Sequence, residues 1–137
     1  MANNLHLELV TPSRCLFKGE INELIAPGLY GELGILLDHA PLITALAMGE
    51  LIYKNNEIAD YAFIEFGFLE VHDNVIIVLA ENAELGREID YQRAFEEKER
   101  AEKELMEARL KDDRTIRDAE YKIKKELMRI KISERYK

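Results

Sequence analysis

The segment from Ile89 to Ala94 has the residue types and spacing that could address a ligand. Its sequence is Ile-Asp-Tyr-Gln-Arg-Ala, and Asp90 and Arg93 stand three apart, hence on one face of a helix's first turn. Backbone N–H groups and a guanidinium fork at that position can bind an anion or a purine edge. The same residues also fit an ordinary helix start, in which Asp90 caps the helix and Arg93 is solvated. Residue chemistry alone favours the cap.

The rest of the sequence supplies no catalytic set. Three glycines from Gly28 to Gly34 space as G-x-x-G-x-x-G, which is not the dinucleotide fingerprint, and no phosphate-binding loop motif occurs. The three histidines lie far apart and form no zinc pattern, and no serine stands in a triad-like context. Cys15 is the only cysteine, which excludes an internal disulfide, and we expect it to be buried. We therefore expect neither a metal site nor an enzyme, and no ATP cleavage by the chain alone.

Composition restricts the class of protein and of partner. With 137 residues, 47% hydrophobic and 34% charged, the chain is globular rather than disordered. No apolar run is long enough to span a bilayer, and no secretory signal is evident, so we expect a cytoplasmic protein. The formal net charge of -8 argues against nucleic acid as a general partner.

The charge is unevenly distributed along the chain. Residues 1–87 contain 4 Lys and Arg against 13 Asp and Glu, whereas residues 113–137 contain 9 against 5. An acidic body thus ends in a basic segment, which indicates an acidic partner for that segment. A merely solvated helical face is the alternative.

Two kinds of element must position these residues. Up to residue 80, short apolar runs alternate with turn signals, and Asp73-Asn74 is typical of a two-residue hairpin turn. This pattern predicts an antiparallel β-sandwich or barrel over residues 1–86. No glycine or proline follows Gly86, and Glu, Lys, Arg and Ala dominate residues 87–137. That composition predicts a separate helical domain.

Apolar spacing in this second domain predicts two antiparallel helices that form a hairpin. Ile89 and Asp90 fit the start of the first helix, and Asp112 or Asp113 fits the start of the second. The expected apolar stripes are Ala94, Ala101, Leu105 and Ala108 on one helix, and Ile116, Ala119, Ile123, Leu127 and Ile130 on the other. Because alanines bury little area, we expect the hairpin to be marginally stable and to exchange between folded-back and extended arrangements.

Taken in order, these segments resemble the epsilon subunit of bacterial F-type ATP synthases over essentially the whole chain. The resemblance rests on Leu-Val-Thr-Pro at 9–12, Gly-Glu-Ile at 19–21, Pro-Gly at 27–28, Gly-Glu-Leu-Gly-Ile-Leu at 31–36, His-Ala-Pro-Leu-Ile-Thr at 39–44, Gly-Phe-Leu-Glu-Val at 67–71, Val-Leu-Ala at 78–80, Ile-Asp at 89–90 and Arg-Ala at 93–94. It implies an α+β protein in which an antiparallel ten-stranded β-sandwich precedes a two-helix hairpin.

The resemblance further implies a non-catalytic rotor subunit in the central stalk. Its sandwich would grip the gamma subunit and sit on the membrane c-ring through Gly31, Glu32, Leu36, Asp38, His39, Ala40 and Pro41. Its helices would inhibit ATP hydrolysis when they extend into the catalytic head of alpha and beta subunits. Contact with the beta subunit would then involve Lys122, Lys124, Lys125, Arg129, Lys131 and Arg135.

Some members of this family bind ATP between the folded helices through an I/L-D-x-x-R-A motif. The matching and supporting positions are Glu84, Ile89, Asp90, Arg93, Ala94, Arg100, Lys125 and Arg129. Lys125 stands where an arginine is expected and lacks its bidentate fork. The resemblance thus implies ATP as a regulatory ligand, with no required cofactor and no magnesium.

Two other classes of function compete with this interpretation. One is a stand-alone β-sandwich that senses a ligand or acts as a scaffold, and the other is an enzyme on a small β-fold. The resemblance places the chain at the cytoplasmic face of the inner membrane, held there only through the complex. Whether that complex couples to protons or sodium is decided in the ring.

Overall fold

The structure is a computed structural model that describes residues 4–108 and 112–137. The chain separates into two compact units, Met1–Leu85 and Gly86–Lys137. The sequence placed Gly86 at the end of the first domain. Gly86 instead begins a short 3-10 turn, Gly86–Glu88, which belongs to the helical unit.

From residue 4 onward, where the structure describes the chain, the first unit consists of eight strands. They are β1 Leu5–Val10, β2 Cys15–Ile21, β3 Glu23–Gly28, β4 Gly31–Ile35, β5 Leu42–Leu46, β6 Gly49–Asn55, β7 Ile58–His72 and β8 Val75–Leu85. They are hydrogen-bonded in the order β2-β1-β8-β7-β5-β3-β4, and β6 pairs with both β3 and β7. The sheet is antiparallel except that β1 pairs with β8 in parallel. No short turn joins these two strands, so no hairpin imposes the antiparallel direction.

The number of strands differs from the ten that the resemblance implied, because two strands are long. Strand β7 pairs with β6 over residues 58–64 and with β5 over residues 67–71. Phe66, with a left-handed φ of 57°, lies between the two halves. Strand β8 follows β7 across this point, from Val75 to Leu85. Each long strand therefore serves two parts of the sandwich.

All eight strands contribute to one hydrophobic core. Alternation in β1 buries Leu5, Leu7 and Leu9 completely, as expected for a strand with one inward face. The other strands add Ile21, Leu24, Ile35, Leu46, Leu51, Ile64, Leu69 and Ile76, among others. Burial of each such side chain contributes about 1.5–3 kcal/mol. The β-sandwich predicted from the sequence and its resemblance is confirmed.

Local turn chemistry fixes the register of the longest strand pair. Asp73 and Asn74 both adopt positive φ angles, 48° and 64°, between the paired residues His72 and Val75. This is the two-residue turn that the sequence predicted, because Asp and Asn tolerate left-handed backbone.

In the described part of the second unit, residues 86–108 and 112–137, the α-helices are α1 Tyr91–Ala108 and α2 Asp113–Ser133, and a 3-10 turn Glu134–Tyr136 follows. Asp90 caps α1, since its carboxylate accepts a hydrogen bond from the Arg93 N–H at 3.1 Å. Asp112 caps α2 by accepting from the Thr115 N–H at 2.7 Å. Both predicted caps are confirmed. No helix of the described residues has the length and apolar character to cross a membrane.

The seam between the helices is built from small residues seven apart. Ala94, Ala101 and Ala108 are buried on α1 and Ala119 is buried on α2, as predicted. The prediction for Leu127 is wrong, because this side chain is 51% exposed. Its neighbour Glu126 is buried instead, since it follows Ala119 by seven residues and so returns to the seam.

Candidate functional site

The sandwich unit carries an open apolar groove on its surface. It has a volume of about 600 Å³ and is lined by Thr11, Pro12, Leu29, Ala45, Leu46, Phe66, Gly67, Phe68, Leu79, Ala80 and Glu81. We call this set the apolar groove. Phe68 and Leu79 are more than half exposed, at 60% and 55%. Exposed large apolar side chains gathered in one place mark a partner surface.

Strand register assembles the apolar groove. Ala45 pairs with Phe68 and Phe68 pairs with Leu79, so three neighbouring strands place these side chains in one row. Gly67 lets β7 approach β8 closely, because a Cβ at this position would lie 2.1 Å from the Leu79 carbonyl oxygen. The apolar groove was not predicted from the sequence. The available signal was β8 itself, which is apolar at every position from Val75 to Ala80 instead of alternating.

A second surface feature of the sandwich is the loop between β4 and β5. The backbone N–H of Asp38 donates to Asn74 Oδ1 at 2.6 Å, and Asn74 Nδ2 donates to Asp38 Oδ1 at 3.1 Å. The His39 Nδ1–H donates to the Ala40 carbonyl at 2.7 Å. These bonds tie the loop to the β7–β8 turn.

The predicted interface residues all lie on β4 or this loop, and all but half-buried His39 are exposed: Gly31, Glu32, Leu36, Asp38, His39, Ala40 and Pro41. The apolar groove includes none of them. The sandwich thus presents two distinct surfaces, one loop-based with exposed Leu36 and Leu37 beside Asp38, the other apolar and strand-based.

The helical unit has a smaller cavity of about 190 Å³ between α1 and α2. It is lined by Glu97, Arg100, Ala101, Glu104, Lys122, Lys125 and Glu126, a set that we call the interhelix cavity. Three carboxylates and three cations face each other there. The charges of the lining therefore balance without any ligand.

Ion pairs account for much of this balance. Arg100 Nη1 lies 2.8 Å from Glu97 Oε1 on the same helix. Lys122 Nζ lies 3.3 Å from Glu104 Oε2 and links α2 to α1. The most buried pair joins Arg129 Nη1 to Glu126 Oε1 at 2.5 Å, with side-chain exposures of only 12% and 9%.

The structure brings together only part of the predicted ATP-binding set. Arg100 and Lys125 line the interhelix cavity, and Arg129 is paired with a carboxylate of that lining. Asp90 serves as the helix cap, beside exposed Arg93. Ile89 and Ala94 are buried apolar residues of the helical unit. Glu84 lies on strand β8, where it pairs with Phe63.

The six basic residues predicted to contact an acidic partner divide into two groups. Three lie at the interhelix cavity or pair with its lining: Lys122, Lys125 and Arg129. Three are exposed elsewhere on α2 or the following turn: Lys124, Lys131 and Arg135. They do not form one continuous surface in this hairpin.

Two minor expectations concern reactive groups. Among residues 4–108 and 112–137, no three His, Cys, Asp or Glu side chains come together as a metal site. The expected burial of Cys15 is wrong, because this residue is exposed. It opens strand β2 next to the Thr11–Arg14 turn, where the chain has not yet entered the core.

Comparison with known proteins defines the class first. Residues 4–86 match the family described as ATP synthase, Delta/Epsilon chain, beta-sandwich domain. The fold is also found in a chain of the Euglena gracilis mitochondrial ATP synthase, with a TM-score of 0.79 and 21% identity. That likeness covers 93% of this chain and 79% of the other.

Sequence relatives define the family more narrowly. An ATP synthase epsilon chain from Syntrophomonas wolfei is 47% identical over 130 residues, which is 94% of this chain and 93% of that one. The epsilon chain of Nitratidesulfovibrio vulgaris strain DP4 is 43% identical over 113 residues, covering 82% and 84%. The chain belongs to the ATP synthase epsilon chain family. It is therefore a non-catalytic subunit of an ATP synthase, and the resemblance drawn from the sequence is confirmed.

Proposed function

We propose that this subunit belongs to the central stalk, where its sandwich couples the gamma subunit to the c-ring. The observation that carries the proposal is the apolar groove, a partner surface on the domain that defines the family. The solved chains that share the fold come from assemblies described as OSCP/F1/c-ring and as central stalk/c-ring. Such a subunit is peripheral and lies at the cytoplasmic face of the inner membrane through its complex.

The two surfaces of the sandwich suggest a division of roles. The apolar groove suits a long-lived contact, because the removal of its exposed side chains from water stabilises association. We assign it to gamma. The loop of residues 36–41 is tied to the β7–β8 turn by Asp38 and Asn74 and exposes both apolar and polar side chains. We assign it to the c-ring and the foot of gamma.

A charge placed in the apolar groove tests this assignment. We expect Phe68→Glu to weaken co-purification with gamma at least tenfold, because the carboxylate would be desolvated without a partner. Ile58→Glu is the matched control, since Ile58 is 72% exposed and lies outside the groove. Equal recovery of gamma with Phe68→Glu and with the unsubstituted chain would contradict the assignment.

The helical unit suggests a second role as a brake on ATP hydrolysis. Its alanine seam buries little apolar area, so α1 and α2 can separate at low cost. In the extended state, the basic residues of α2 would contact acidic residues of the beta subunit and block turnover. The closed and extended states would be populated according to the free energy of the contacts that each one makes.

ATP is the proposed regulator of this brake, as a ligand that favours the closed hairpin. Arg100, Lys125 and Arg129 supply cations near one another. However, the interhelix cavity, at about 190 Å³, is smaller than the roughly 300–1,000 Å³ of ordinary ligand pockets. ATP would therefore have to displace side chains. Calorimetric titration of the isolated protein with ATP tests this part, and absence of binding at millimolar ATP would contradict it.

A further inference from the structure

Glu126 is the exceptional residue of the helix seam. The other seam positions at this spacing are Ala119 and Ser133 on α2, and alanines on α1. Glu126 is only 7% exposed, although charged side chains are rarely buried unless they are paired. The Lys122–Glu104 contact links the two helices, and Ala101 and Glu126 line the same cavity.

The carboxylate of Glu126 has a definite partner. Its Oε1 lies 2.5 Å from Nη1 of Arg129, a charge-assisted hydrogen bond in a largely desolvated place. Removal of one partner of a buried ion pair is strongly destabilising. The cost arises because the remaining charge stays buried without compensation. In the closed hairpin Glu126 supplies an anion to Arg129 at this position.

The surroundings explain which anion the hairpin now uses. Glu97 and Glu104 engage Arg100 and Lys122 in the same way. The carboxylates of the chain thus stand where the oxygens of a polyphosphate would have to stand to meet the same cations. Glu126 is the most buried of these carboxylates, so its displacement is the most costly step for an entering ligand.

We propose that Glu126 is a built-in substitute for an anionic ligand and sets the affinity of the hairpin for polyphosphates. By neutralising Arg129, it allows the hairpin to close without a bound nucleotide. It also competes with the phosphates of any nucleotide that enters. The identity of that nucleotide as ATP rests on the function proposed above, whereas the competition itself concerns only anion chemistry.

The test compares Glu126→Gln with the unsubstituted full-length chain. Glutamine keeps the size of the side chain and removes its charge. Glu120→Gln is the matched control, because Glu120 is exposed on the same helix. Inorganic triphosphate, without magnesium and at constant ionic strength, is titrated by calorimetry, and helical content is followed during thermal unfolding.

We expect Glu126→Gln to bind triphosphate at least tenfold more tightly than the unsubstituted chain. Its hairpin should be less stable without the anion and should recover when triphosphate is added. Glu120→Gln should behave as the unsubstituted chain. If Glu126→Gln melts the hairpin altogether, triphosphate should restore its helical signal. Replacing Arg129 as well, by Arg129→Gln, should abolish the gain.

Equal triphosphate binding by Glu126→Gln and the unsubstituted chain would overturn the inference, as would failure of triphosphate to restore a melted hairpin. ATP titrations separate this result from the proposed regulation. ATP binding that Glu126→Gln does not strengthen would reject the competition and leave ATP regulation intact. A gain for triphosphate without any ATP binding would support the competition and reject ATP as the regulator.

Discussion

At the scale of single residues, Gly67 decides whether β7 and β8 can approach as they do. A Cβ at this position would lie 2.1 Å from the Leu79 carbonyl oxygen and 2.8 Å from Ala80 Cα, both of them backbone atoms. Neither can move without displacing the strand. Because Leu79 and Phe68 flank this contact, Gly67 also shapes the apolar groove.

We therefore expect Gly67→Ala to lower the free energy of unfolding of the sandwich by about 1–3 kcal/mol, the usual cost of overpacking. Gly34→Ala is the matched control in strand β4. A Cβ there meets nothing within 4 Å, so we expect no loss and at most a gain of about 0.4–1 kcal/mol from reduced unfolded-state entropy. Urea unfolding followed by far-ultraviolet circular dichroism measures both changes. Similar midpoints for the two variants would show that β7 and β8 can separate freely.

Residue-level prediction succeeded where the physics is local. The helix caps Asp90 and Asp112 accept hydrogen bonds from backbone N–H groups three residues further on. The turn residues Asp73 and Asn74 adopt the expected positive φ angles. The prediction failed at the neighbouring positions 126 and 127. Because leucine is hydrophobic, Leu127 was expected in the seam, but Glu126 is the buried residue. The seven-residue spacing from Ala119 leads to Glu126, and the ion pair with Arg129 compensates the burial of its charge.

At the scale of elements, the small residues of α1 control how closely the two helices pack. Ala94, Ala101 and Ala108 recur every seven residues and are all buried. Larger side chains at these positions would have to push the helices apart. The sequence predicted this stripe, but it could not predict the charged cavity beside Ala101, which depends on the register across the hairpin.

We expect Ala101→Leu to destabilise the hairpin by about 1–3 kcal/mol, because the seam has no space for three more carbon atoms. Amide hydrogen exchange should accelerate across α1 and α2 while the sandwich strands keep their protection. Met106→Ala is the control, since Met106 is 73% exposed and its loss should change stability by less than about 0.5 kcal/mol. Faster exchange in the sandwich as well would mean that the substitution acts globally.

At the scale of the whole molecule, the two units carry opposite charge and suit different tasks. The acidic sandwich holds the family's domain and the apolar groove, whereas residues 113–137 are basic and mostly helical. The strand count and the parallel β1–β8 pair were beyond sequence analysis, because they depend on pairings between distant segments. The two-part organisation was visible because composition changes sharply after Gly86.

Removal of residues 113–137 should therefore uncouple the two roles. We expect the truncated subunit to assemble with gamma and the c-ring, and to raise the ATP hydrolysis rate of the complex several-fold relative to the full-length subunit. The reason is that, in the proposed function, the sandwich would make the assembly contacts and the basic helix would make the inhibitory contact. Unchanged hydrolysis by a fully assembled complex would remove the inhibitory role.

Charge reversal on an intact helix distinguishes inhibition by electrostatic contact from inhibition by the volume of the helix. Lys124 and Lys131 are exposed on α2 and belong to the predicted contact set. Arg114 and Arg117 are exposed on the same helix and do not belong to it. We expect Lys124→Glu with Lys131→Glu to raise hydrolysis towards the truncated level, because a like-charge contact with an acidic partner is repulsive.

Arg114→Glu with Arg117→Glu changes the net charge equally and should leave inhibition in place. Equal relief by both pairs would show that overall charge, rather than a specific contact, governs the brake, and the measurement is steady-state ATP hydrolysis at fixed ionic strength.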